Sequence, residues 1–160
     1  MPIITLLTDF GTNNEYVGAM KGVILSINPS VRVIDIHHQL DPHDMIGAAY
    51  QVKAYYSFFP PGTIHVVVVD PGVGGDRHVI AVELNGYIFL SPDNGVLSLL
   101  IDKGHMQRIH YVENENYWLK PVSNTFHEIA VNRGNAQNLL SAVSGDKVYV
   151  SLSNHKEYFI

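Results

Sequence analysis

The sequence predicts an α/β fold: a largely parallel central sheet with helices on both faces, plus a β-hairpin. Three observations carry this. The apolar runs Ile3–Leu7, Val31–Ile36 and Ile64–Val69 are each short and rich in Val and Ile, as strands inside a sheet are. The stretches between them have helical spacing and are long enough for crossovers, which makes the strands parallel and the connections right-handed. Asn85-Gly86 separates two further strand-like runs, a strong hairpin signal.

Taken in order, Ile3 to Asp9 reads as a first strand that ends in an acid. Asn13 or Asn14 can cap a helix from Glu15 to Ile27, whose apolar positions Tyr16, Val17, Met20, Val23, Ile24 and Ile27 share one face. Asn28-Pro29-Ser30 stops it. Val31 to Ile36 is a second strand, running into His37-His38. A second helix spans about Met45 to Phe58, ended by Pro60-Pro61-Gly62. The run from Ile64 then reads as a strand buried on both faces, delivering Asp70 into a Gly-rich loop that carries Arg77. Val79–Leu84 and Tyr87–Leu90 form the hairpin. Ser91 to Gly95 turns the chain into a short helix from Val96 to about Ile101, and a strand lies near Arg108 to Val112. A polar segment follows to Pro121. Ala136, Leu139, Leu140 and Val143 have helical spacing, and Lys147–Leu152 with Glu157–Ile160 can form a last hairpin.

Composition narrows the function classes. A chain of 160 residues with 46% hydrophobic and 16% charged residues can build one proper core and is not disordered. The net charge of −5 offers no basic footprint, so no nucleic acid partner is expected. There is no cysteine, which removes disulfides, thiolate metal sites and a cysteine nucleophile. No signal-peptide pattern and no apolar run of about 20 residues is visible. The expectation is a cytoplasmic protein, without a membrane segment, that handles a small molecule.

In an open parallel sheet, ligands bind beyond the carboxyl ends of the strands. Asp9, His37-His38 and Asp70 all fall there, on one edge. Asp70 with Arg77 fits a functional site, and it equally fits an ordinary turn held by a structural ion pair. Asp9 can accept two adjacent sugar hydroxyls through its carboxylate, or cap the following turn. Asp93-Asn94-Gly95 can be no more than a turn with a helix cap. His37, His38, His43 and Asp44 are candidate metal ligands, but adjacent strand residues face opposite ways, and no HExxH-like spacing occurs; no metal is expected. The Gly-rich loop lacks the GK[ST] ending of a phosphate-binding loop, and no GxSxG is present.

Six motifs then occur in order: Thr8-Asp9-Phe10-Gly11, Tyr16 to Gly22, Ile34 to His38, Val68 to Gly74, Ser91 to Gly95 and Thr125-Phe126-His127. Their sequence resembles the S-adenosylmethionine hydroxide adenosyltransferase family, relatives of the fluorinase and chlorinase. The resemblance implies an N-terminal α/β domain, homotrimers, and attack of water or hydroxide on the ribose 5′ carbon of S-adenosylmethionine, giving adenosine and methionine. The sulfonium leaves as a neutral thioether, so the site must supply only an oriented, activated water. By resemblance Asp70, Arg77 and His127 form the catalytic set. Asp9, Phe10, His43, Val73 and Asn94 are the substrate-binding set, with no cofactor beyond the substrate itself. The Asp-Arg pattern favours hydrolysis over halogenation.

The resemblance covers residues 1–127. After His127 the family continues with Gly-Arg-Asp and a C-terminal β-barrel, whereas here Glu128 to Arg133 diverge. Residues 128–160 are therefore read as a truncated or frame-shifted tail, with the barrel absent. Two further readings stand beside hydrolysis: a non-catalytic domain that binds nucleoside weakly or self-associates, and a His/Asp metal-dependent hydrolase.

Overall fold

The predicted β-α-β-α-β order is present in the computed structural model, which describes residues 1–73, 77–101, 106–112, 149–152 and 156–159. Strand β1 (Ile3–Thr8), helix α1 (Tyr16–Ile27), β2 (Arg32–His37), α2 (Met45–Tyr55) and β3 (Ile64–Val68) follow one another as expected. The hairpin β4 (Val79–Leu84) and β5 (Tyr87–Pro92) and the strand β6 (Met106–Tyr111) complete a six-stranded sheet in the order β2-β1-β3-β5-β4-β6. The ladders β1–β2, β1–β3 and β3–β5 are parallel, and β4 runs antiparallel to both β5 and β6.

The local chemistry explains the element ends. The capping position of α1 is Glu15, which makes no side-chain cap bond. Asn14 stands one residue earlier, its Oδ1 accepting from Tyr16 N at 3.1 Å, so it turns the chain into the helix instead of capping it. Asp44 caps α2, its Oδ1 accepting from Gly47 N at 2.8 Å. Asn85 and Gly86 take φ of 50° and 81°, the two left-handed residues that a type I′ turn needs to match strand twist. The predicted helix to Phe58 ends as α-helix at Tyr55 and closes with one 3₁₀ turn, Tyr56–Phe58.

The helices cover opposite faces. Lys21 of α1 reaches Asp35 of β2, which pairs with Leu6. Ala48 and Val52 of α2 pack instead with Leu7, Val67, Val82 and Phe89. That second face is the core, and each large side chain fully buried in it contributes about 1.5–3 kcal/mol.

Two expectations are corrected. Strand β3 is not buried on both faces: His65 and Val67 are buried, while Ile64, Val66 and Val68 are only half-buried. Helix α1 buries none of its residues, so it leaves that face of the sheet partly open. Residues Val96 to Ile101 form successive turns rather than a helix. Their bonds are mostly three-residue, Ser98 N to Gly95 O and Leu100 N to Leu97 O, and so short a segment does not repay helix nucleation.

The described residues belong to two units, Met1–Asn124 and Thr125–Ile160. In the second, β7 (Tyr149–Leu152) and β8 (Lys156–Phe159) form the antiparallel pair expected there. The polar segment at 113–121, His127 and the helical spacing at 136–143 lie outside the described residues. Among the described residues no helix is long and apolar enough to cross a membrane.

Candidate functional site

Because β1, β2, β3 and β5 run the same way, their carboxyl ends share one edge of the sheet. Asp9 follows β1, His37 ends β2, Asp70 lies two residues past β3, and Asn94 follows β5. Hydrogen bonds tie these ends together. Asp9 N donates to Val68 O at 3.4 Å, and Asn94 Nδ2 donates to Val69 O at 2.7 Å. The Asn94 Oδ1 also accepts from Val96 N at 3.1 Å, so this side chain pins the turn after β5 to the end of β3. An open, largely apolar cleft lies beside it, lined by Met45, Ala49, Tyr50, Asn94 and Leu99.

Asp70 is held on one oxygen and open on the other. Its Oδ1 accepts from Gly72 N at 2.9 Å and from the Arg77 guanidinium. Its Oδ2 has no partner among the described residues. Both side chains are half-buried, at 20% and 27% exposure for Asp70 and Arg77, which weakens solvent screening without removing access to water. Gly72 is what lets the pair form, since a Cβ there would run into the guanidinium. The sequence places the acid and the cation on one loop; the structure brings them into contact.

Asp9 repeats the pattern. Its Oδ2 accepts from His43 N at 3.0 Å, and Oδ1 has no partner among the described residues. His43 has φ of +68°, an uncommon conformation for a residue with a side chain. Such strain recurs at functional sites. His43 meets Asp9 through its backbone amide, and its imidazole is exposed. The half-buried Phe10 sets its ring against Tyr16 at 5.9 Å. Val73 is 61% exposed on the Asp70 loop, with its N–H donating to Asp70 O at 3.3 Å.

The two adjacent histidines diverge as strand geometry requires. His37 is exposed and its Nδ1 accepts from Gln39 N at 3.1 Å. His38 is buried, with Nδ1 2.9 Å from Thr8 Oγ1. Among the described residues no three His, Asp or Glu side chains converge as metal ligands would. The bond between Thr8 and His38 was not foreseen from the sequence. The one signal was a hydroxyl directly before the strand-end acid.

Comparison with known proteins gives this arrangement a context. Residues 4–148 match the SAM hydroxide adenosyltransferase N-terminal domain family. An (R)-S-adenosyl-L-methionine hydrolase from Methanocaldococcus jannaschii is 42% identical over 149 residues, covering 84% of this chain and 55% of the relative. A fluorinase from an Actinoplanes species is 26% identical, over 71% of this chain and 46% of its own length. Among solved structures, an uncharacterized conserved protein from Thermotoga maritima aligns with a TM-score of 0.70 and 38% identity, covering 74% of this chain and 46% of that one. The chain thus spans about half the length of the relatives it matches.

Proposed function

The chain belongs to the SAM hydroxide adenosyltransferase family through its N-terminal domain, and from that premise we propose that it hydrolyses S-adenosyl-L-methionine to adenosine and L-methionine. The observation that supports this best is Asp70, anchored through Oδ1 by Gly72 and Arg77 and open at Oδ2. In the proposed step Oδ2 orients a water in line with the C5′–S bond. The water oxygen bonds to C5′ as the C–S pair leaves with sulfur, and the water's proton passes to Asp70 and then to solvent. Arg77 holds Asp70 Oδ1 in place and favours the developing hydroxide. Asp9, fixed by His43 N, accepts the ribose hydroxyls through Oδ1. His127 is proposed as the third member of the catalytic set, and a homotrimer is the assembly the family resemblance implies, checked by light scattering.

The test is incubation with S-adenosylmethionine in water labelled with heavy oxygen. Adenosine should appear with methionine, carrying the label at its 5′ oxygen. Asp70→Asn should slow this by about a hundredfold or more, the usual scale for a lost general base, with an unchanged thermal melt. No adenosine above the protein-free control would sink the hydrolase reading. Adenosine binding without turnover would favour the non-catalytic reading.

A further inference from the structure

Asp9 sits between two anchor points on one buried histidine. On its N-terminal side, Thr8 Oγ1 meets His38 Nδ1 at 2.9 Å. On its C-terminal side, Gly11 N donates to His38 O at 2.6 Å. Phe10 N donates to the same Thr8 Oγ1 at 3.3 Å, and Gly11 takes a φ of +75° to complete the turn. The side chain and carbonyl of one residue thus grip both flanks of the acid.

The polarity of this grip follows from what lies behind it. His38 Nε2 is 3.0 Å from Asp35 Oδ1, close though off the hydrogen-bonding direction. A carboxylate cannot donate, so the neutral ring carries its proton on Nε2 and accepts at Nδ1. Thr8 then donates its hydroxyl to His38 and receives Phe10 N–H, using both capacities of one oxygen. Lys21 Nζ closes the chain at 2.5 Å from Asp35 Oδ2. Burial raises the Asp35 pKa, but the Lys21 ammonium and the adjacent His38 ring outweigh it and leave the carboxyl below its ordinary value. Thr8 is fully buried, so the Asp35–His38–Thr8 array presents no nucleophile to solvent. It is a support.

We infer that His38 is a positioning residue for Asp9, acting through Thr8 and the Gly11 amide to set the carboxylate that receives the ribose. The inference rests on Asp9 being the ribose ligand, as proposed above. His38→Ala should raise KM for S-adenosylmethionine about tenfold, the weight of one or two hydrogen bonds, while kcat stays within about threefold. Thr8→Val should do the same, and the double variant should be no worse than either. His38→Asn, whose amide oxygen can still accept from Thr8, should recover most of the loss. A residue that merely stabilises the fold would instead reduce the active fraction at constant KM, and that result would overturn the assignment.

Hydrogen exchange supplies a readout that needs no substrate. Amides of Phe10 and Gly11 should exchange faster in His38→Ala than in the wild type and regain protection in His38→Asn. Unchanged exchange would overturn the grip itself. If the wild type neither binds adenosine nor forms it, the ribose role of Asp9 falls, and the exchange data alone decide whether His38 holds the turn.

Discussion

At the scale of single residues, Gly72 decides whether Asp70 and Arg77 can touch. A methyl group there would displace the guanidinium, which is the flexible end of a side chain and can move away. Gly72→Ala should therefore leave the melting temperature almost unchanged yet lower adenosine formation about as far as Arg77→Ala does. The double variant should lose no more than either alone, since both remove one interaction; additive losses would show that Gly72 acts elsewhere. The acids at this edge were legible in the sequence because a strand-end acid needs only a pattern of apolar residues to locate it. The oxygen each carboxylate keeps open was not legible, because Gly72 N and His43 N reach Asp70 and Asp9 through backbone turns. The Thr8–His38 bond was hidden for a related reason: it joins two strands 30 residues apart.

At the scale of elements, β3 brings His65 into a box of rings. Tyr55 of α2, Phe59, and Tyr87 and Phe89 of β5 lie 5.1 to 5.7 Å from its imidazole, with Tyr56 at 6.3 Å. Thr5 Oγ1 bonds Nδ1 at 2.8 Å, and Nε2 has no partner among the described residues. Burial drives the His65 pKa down from 6.5 to about 4. Above pH 6.5 both folded and unfolded chains are neutral there. As pH falls toward 4, the unfolded chain takes up a proton that the folded one refuses, and stability drops by up to about 3 kcal/mol before levelling off. Urea unfolding at pH 7 and at 4.5 should reveal this loss, and His65→Phe should flatten it. Tyr55 responds at the other end. Burial pushes its pKa up to about 12, so its ionisation costs stability between pH 10 and 12. Helix α2 depends also on its cap, and Asp44→Ala should cost about 1 kcal/mol by the same urea measurement. Elements with local signals were readable: Asn85-Gly86 dictates its own turn, and Pro60-Pro61-Gly62 stops the second helix. The Val96 to Ile101 segment carried apolar spacing without enough length to become a helix, and spacing alone cannot register that.

At the scale of the whole sheet, the crossovers were legible because parallel strands need long connections, whereas the place of β6 beside β4 was not. An antiparallel edge strand can dock on either side of a hairpin, and only the burial of its neighbours selects one. The order β2-β1-β3 has a consequence for how the chain is made. Strand β1 leaves the ribosome before both of the strands it ends up between. Ile4 pairs with Val33 on one side and with Ile64, sixty residues downstream, on the other. Until β3 has been synthesised, β1 holds an apolar segment with one unsatisfied edge, the kind of surface that nascent chains must keep from pairing with strangers. Closure of so distant a ladder is also slow. In refolding followed by pulsed exchange, the β1 amides facing β3 should gain protection no earlier than β3 itself, so the site edge at Asp9 and Asp70 is assembled in a single late event.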